Sequence, residues 1–145
     1  MAAFTENDVR IFAKDKAADN PLLGAVRFTT EDILAATNLA VDYINYSLPP
    51  LPTKFTKESF PSSYVLLLGT CGHLLRGASV NQASNQLTYA VDGVQIGDMD
   101  KAKIFSELGN SFWGEFQQMV RDIKVTENIA DAYGATRSNY GFRSW

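Results

Sequence analysis

The chain holds one cysteine, Cys71, and one histidine, His73. A lone thiol excludes an intramolecular disulfide and leaves a cysteine-based zinc site without its ligands, a pattern that fits a reducing compartment. With one imidazole, any histidine-based triad would have to run through His73 alone. Basic charge is scarce as well. Thirteen Lys and Arg against 16 Asp and Glu give a formal charge of -3, which speaks against a broad basic face that gains affinity by neutralising phosphates. The densest apolar run, residues 64–68, falls far below the ~20 residues that a membrane-spanning helix needs, so no membrane partner is expected. The first residues, Met1 to Glu6, carry no basic region and no apolar stretch behind it, and no secretory signal is expected.

What remains is an ordinary globular composition, 46% hydrophobic and 20% charged, in a length that suits one domain hiding roughly two-thirds of its unfolded surface. Thr5 before Glu6 and Asp8 predicts a capped short helix that turns Val9, Phe12 and Ala13 inward and ends before Pro21. Pro21 and Gly24 mark a connection over 20–28. A second helix is expected from Thr29 or Thr30, with Glu31 and Asp32 at its positive end and Ile33, Thr37, Ala40, Val41, Ile44 and Leu48 on one stripe. Pro49, Pro50, Pro52 and Pro61 forbid regular helix between them, yet Phe55 and Phe60 predict that this loop packs on the domain, since a linker is poor in aromatics.

Ser62 or Ser63 caps the expected central helix, whose apolar face is Tyr64, Leu67, Leu68, Cys71, Leu74, Leu75 and Ala78. Gly69, Thr70, Gly72 and Gly77 cost helix propensity there, which close approach of a neighbouring backbone would explain. Residues 87–91 and 94–96 around Asp92-Gly93 read as a hairpin. A long helix follows from Met99 to about Asp131, ~50 Å at 1.5 Å per residue, with Ile104, Leu108, Phe112, Glu115 or Phe116, Met119 and Ile123 along one side. No helical period fits the segment after Gly134. Its aromatics, Tyr140, Phe142 and Trp145, mark anchors for a groove or an edge strand rather than a solvated tail. The expected fold is therefore mainly α, a small helical bundle with one long C-terminal helix, a short β-hairpin near residues 87–96 and an extended C-terminal tail. Residues 1–134 form the helical domain and 135–145 the docking tail, with Arg137, Tyr140, Phe142, Arg143 and Trp145 as its contact residues.

Candidate chemistry is thin. Cys71 and His73 stand two apart on a helix, so they point to different faces and cannot serve as nucleophile and base. Asp92, Asp98 and Asp100 lack the run of oxygen ligands and the closing glutamate of a calcium loop, and read better as helix-start acids. Gly93-x-x-x-Gly97 has no following Lys-Ser or Lys-Thr, so it is not a phosphate loop. Arg76 with Asn81, Asn85 and Gln86 is equally an exposed helical face or an interface cluster. Arg121, Lys124, Arg137 and Arg143 bias the last third toward positive charge, part of it expected near a helix C-terminus. No catalytic residue, cofactor or metal is expected, and the chain is not read as an enzyme.

Taken together, Ser62-Ser63-Tyr64-Val65-Leu66-Leu67-Leu68-Gly69, Leu74-Leu75-Arg76, Asn85-Gln86-Leu87-Thr88-Tyr89, Asp92-Gly93-Val94-Gln95-Ile96, Asp100-Lys101 and Lys124-x-x-x-Asn128 resemble the neck proteins of tailed bacteriophages, of the head-tail connector or adaptor type. The likeness spans roughly residues 29 to 145 and lies in the order helix, hairpin, long helix, tail. The first helix and the proline-rich loop have no counterpart in it. The resemblance implies a structural protein of the virion neck, made in the host cytoplasm. It implies a homo-oligomeric ring beneath the portal, dodecameric if matched to it, contacting portal, neck and tail proteins while DNA passes through. Two rivals stand beside it. One is a small non-viral interaction or regulatory module that binds a protein or peptide, for instance beside the central helix; the other is an enzyme built from scattered carboxylates, Tyr and Ser.

Overall fold

In this computed structural model, backbone is described for residues 4–20, 24–84, 89–91, 94–96 and 99–141, and side chains for 4–20, 24–83 and 101–132. Among the described residues there are four α-helices, α1 (Glu6–Phe12), α2 (Thr30–Tyr46), α3 (Ser63–Ser84) and α4 (Met99–Gly141). The packed body is all-α. Between α3 and α4, β1 (Tyr89–Val91) and β2 (Val94–Ile96) pair antiparallel with Val91 opposite Val94; the turn residues Asp92 and Gly93 lie outside the described residues.

Both early helices start on reciprocal caps. The Thr5 hydroxyl accepts from the Asp8 N–H while the Asp8 carboxylate accepts from the Thr5 N–H, and Thr29 and Asp32 repeat the arrangement. Each pair satisfies two N–H groups that the first turn leaves open and sets a negative charge at the positive helix end. α2 buries Ile33, Ala36, Thr37, Ala40, Val41 and Ile44. Leu48, expected on that stripe, is instead 87% exposed, because the helix ends at Tyr46 and the chain turns into the proline segment. That segment is anchored as expected: Phe60 is buried, and the Asn45 side chain makes two 2.8 Å hydrogen bonds to the Phe55 backbone, one to its N–H and one to its carbonyl.

Helix α3 lies in the middle, touched by α1, α2 and α4. Its buried face is Val65, Leu66, Leu68, Cys71, Leu74, Leu75 and Ala78, rotated from the expected one, since Tyr64 is 48% exposed and Leu67 only partly buried. Thr37 and Thr70, both buried, return their hydroxyls to the carbonyls of Ile33 and Leu66 at 2.8 Å, so each polar group is satisfied within its own turn.

α4 runs antiparallel to α3: Gly69 meets Phe116, Gly72 meets Trp113, Gly109 meets Arg76, and the Ser79 hydroxyl donates to the Ala102 carbonyl. A Cβ on Gly69 would stand 2.8 Å from the fully buried Phe116 ring, and one on Gly109 would stand 3.0 Å from the Arg76 backbone nitrogen. The small residues expected to allow close approach do so at Gly69 and Gly72. At Gly77 they do not, for a Cβ there meets nothing within 4 Å. The buried stripe of α4 is Ala102, Gly109, Phe116, Val120 and Lys124, flanked by Phe105, Phe112, Trp113, Met119 and Ile123. Ile104 and Leu108, expected inside, are 52% and 45% exposed, because the glycine contact turns the helix by about one residue toward α3. The extended tail expected from residue 135 is also corrected: the backbone stays helical through Gly141. Extending a formed helix adds one hydrogen bond per residue fixed, and Thr, Ser and Asn cost under about 0.7 kcal/mol each against Ala, so weak propensity alone does not end it.

At the other end of the body, Asp15 is 3% exposed and accepts four hydrogen bonds, from the Arg10 guanidinium, the Asn20 amide and the N–H groups of Arg27 and Phe28. Arg10 also holds Glu6 and donates to the Phe28 carbonyl. This network closes the loop between α1 and α2.

Two stability predictions follow from these contacts. Gly69→Ala should lower stability by about 1–3 kcal/mol, because overpacking against Phe116 outweighs the ~1 kcal/mol propensity gain, while Gly114→Ala, whose Cβ enters open space, should raise it by about 0.5–1 kcal/mol. Thermal melts should move in opposite directions for the two variants. Asp15→Ala strands the Arg27 and Phe28 N–H groups and leaves Arg10 only Glu6 and the Phe28 carbonyl, and urea unfolding should report a loss of about 3 kcal/mol; a loss below the noise of the measurement would show that water replaces the carboxylate.

Candidate functional site

The distinctive surface is the far end of α4. α3 begins at Ser63, only six residues before Gly69, so its seam with α4 runs out soon after Phe116. Beyond the seam, α4 rests on the segment after α2. The Lys124 side chain, 0% exposed, donates to both the carbonyl and the hydroxyl of Ser47, the latter at 2.8 Å. Ser47 is the C-cap of α2, so the ammonium neutralises the negative end of that helix dipole and occupies a carbonyl the helix leaves open. Burial holds the Lys124 pKa below its ordinary value. One turn on, the Asn128 amide donates to the Pro50 carbonyl at 3.2 Å.

No hydrogen bond to the body is found further along among the described side chains. Ile129 is 50% exposed and Ala130, Asp131 and Ala132 are exposed, while the backbone continues to Gly141. From Ile129 to Gly141 this is ~20 Å of helix at 1.5 Å per residue. Apolar groups stand around its root: Tyr46 at 69%, Leu48 at 87% and Val125 at 48% exposure. Lys54 lies over the Tyr46 ring at 4.3 Å and donates to its hydroxyl, which keeps that ring in place on the surface.

The contact residues expected from sequence fall beyond this root. The side chains of Arg137 and Tyr140 lie outside the described residues although their backbone is helical, and Phe142, Arg143 and Trp145 lie outside them altogether. Asp92 and Asp98 are likewise outside, as are Asn85 and Gln86. Arg121 is exposed, whereas Lys124, grouped with it in the positive bias of the last third, is buried against Ser47.

The other residues singled out sit in the body. Cys71 is fully buried, and burial pushes its thiol pKa up to about 12, so it stays protonated and unreactive near neutrality. His73 packs on the Trp113 ring with 4.3 Å between centroids, its Nε2 is shielded from water, and that atom has no hydrogen-bond partner among the described residues. Arg76 lies over the other part of this cluster, 5.8 Å from the Trp113 ring. Among the described residues no group of three or more His, Cys, Asp or Glu side chains is placed to hold a metal ion, and no helix is long and apolar enough to cross a membrane. The chain matches no family model, no curated protein and no solved structure.

Burial, with the Arg76 charge as the second cause, holds the His73 pKa below 6.5. The unfolded chain therefore binds this proton at a higher pH than the folded one, and stability rises with pH between the folded value and 6.5. The cost is complete below the folded value and absent above 6.5. As pH falls through that window the protein should lose stability relative to His73→Gln, by at most about 1.4 kcal/mol per pH unit, read as the difference between two urea-unfolding series; parallel series would show the imidazole to be wet in solution.

Proposed function

We propose that this chain is a structural subunit of an assembly, and specifically a head-to-tail connector of a bacteriophage neck that forms a ring beneath the portal. The observation that supports this most is the length and placement of α4. At 43 residues it is nearly twice as long as α3, the helix it packs on, and a compact domain of this size has no use for the excess. An isolated helical end shorter than about 12–15 residues is marginal in water, and this one carries the half-exposed Ile129 at its root. A neighbour that covers Ile129 and the turns beyond it would supply burial that the described residues of the body do not give Ile129.

In this reading the helices of the body pack laterally between subunits. The end of α4 carries Arg137, Tyr140, Phe142, Arg143 and Trp145 onto the portal or an adjacent copy. Aromatic and Arg side chains are the usual anchors of such contacts. The net charge of -3 suits a channel through which DNA must slide without being held, since like charge repels the phosphates. The order of helix, hairpin and long helix follows that of the neck-protein resemblance.

A chain ending at Ala135 keeps every described body contact and loses the docking residues. It should unfold as cooperatively as the full chain, remain monomeric by analytical ultracentrifugation, and fail to form rings or portal-bound collars in electron micrographs where the full chain forms them. Collars formed by the truncated chain would sink the docking role. A full chain that stays monomeric and ignores the portal would favour the interaction-module reading instead.

A further inference from the structure

A cavity of about 370 Å³ opens between α2, α3 and the segment before α2, away from the root of the α4 projection. Its floor is apolar, formed by Ala36 and Leu74 with Gly77, whose missing side chain leaves open space. Its wall holds two polar side chains with unmet bonding capacity. The Arg27 Nη1 and the His73 Nε2 are both shielded from water and both lack a hydrogen-bond partner among the described residues. Arg27 has no carboxylate within ion-pair distance among them either.

Such groups are costly where they stand, because a shielded donor without a partner forfeits its hydration and gains nothing in exchange. Arg27 is nevertheless held firmly. The Asp15 carboxylate accepts from its backbone N–H at 2.6 Å, and its guanidinium lies over the Phe105 ring at 4.5 Å. A planar, permanently charged fork beside an apolar floor is the recognition element for a carboxylate on a short apolar stem. A volume near 370 Å³ is at the small end of ligand pockets. We infer that this cavity binds a monocarboxylate, with the guanidinium of Arg27 turned from Phe105 onto the carboxylate, the His73 imidazole as second donor, and the stem over Gly77.

Asp32 sets the charge of the ligand. Its carboxylate lines the same cavity but is committed to the α2 cap, accepting from the Thr29 N–H at 2.9 Å. It is exposed and water-screened, so it tolerates one negative charge nearby and penalises two. A phosphate dianion is thus disfavoured where a carboxylate is not. The same chemistry is offered by a free short-chain acid and by the C-terminus of a polypeptide, and the site does not depend on the docking reading above.

Because His73 is the only histidine, its imidazole resonances in a ¹H–¹⁵N spectrum report the cavity without ambiguity. The full chain is titrated with sodium hexanoate, with N-acetyl-leucine as a chain-terminus mimic, and with sodium phosphate and N-acetyl-leucinamide at matched ionic strength. One or both acids should shift the His73 signals saturably, and phosphate and the amide should not. The tighter acid tells a free ligand from a chain terminus. Arg27→Met should weaken binding at least about tenfold, the size of a lost charge-assisted hydrogen bond. Gly77→Leu, which fills the cavity from a position with open space and improves helix propensity, should keep or raise the melting temperature and abolish binding. His73 signals that neither acid moves, or that respond equally in the wild-type, Arg27→Met and Gly77→Leu chains, would overturn the assignment, as would phosphate binding as well as the acids.

Discussion

The packing of α2, α3 and α4 depends on how closely α3 and α4 approach. Gly69 and Gly72 on one helix and Gly109 on the other remove the side chains that would hold the axes apart, and Phe116 and Trp113 fill the space so gained. The Phe116 ring is fully buried and lies near Ala40 as well, while Tyr43 packs edge-on against Trp113 at 4.9 Å. The position of α2 is thus fixed by the same rings that lock the seam. Interiors are packed like organic crystals, so a seam this tight has one register. Set that register, and the length of α4 carries its backbone well past the point where α3 begins.

The parts of the fold legible in the sequence are those decided within one turn. The capping boxes at Thr5 and Thr29 need only residues three apart, and both helix starts were readable for that reason. The face of α2 from Ile33 to Ile44 was readable because those residues recur at helical spacing, even though Leu34 and Leu39 stand 52% and 53% exposed on its other side. α4 is different. It carries large apolar residues on more than one side, Phe105, Phe112, Phe116 and Val120 inward and Ile104, Leu108, Val125 and Ile129 outward, and period alone cannot choose between two apolar stripes. The choice is made by Gly109, whose role exists only once α3 is beside it. Periodicity favours large residues as core markers, so a stripe that centres on a glycine escapes it.

Asp15 and Lys124 were not legible for a related reason. A charged residue reads as surface unless its partners are known, and the partners of Asp15 come from four places in the chain between Arg10 and Phe28. Lys124 reaches back to Ser47, across most of the sequence. Both charges are buried against backbone groups that local structure leaves open: two loop N–H groups for Asp15, a helix-end carbonyl for Lys124. The candidate cavity inherits the same illegibility, since Arg27 and His73 are brought to one wall only by the closure of the α1–α2 loop on α3. The aromatics at the chain's end, proposed as docking residues, stand out in sequence because no helical period accounts for them, and their side chains lie outside the described residues.

The two polar clamps sit at opposite ends of the body, and this separation bears on how the surface is used. Asp15 orders the segment beside the cavity, and Lys124 orders the root of the α4 projection; the glycine seam lies between them and joins both to one rigid core. A partner that covers the end of α4 therefore meets a root already held by Lys124 and Asn128, so the ordering cost of binding is confined to the last turns and the side chains beyond them. A root left to fray would add its own ordering to that cost. The buried lysine, unfavourable by desolvation and met by the two oxygens of Ser47, is accordingly the element that ties the root of the long helix to the end of α2.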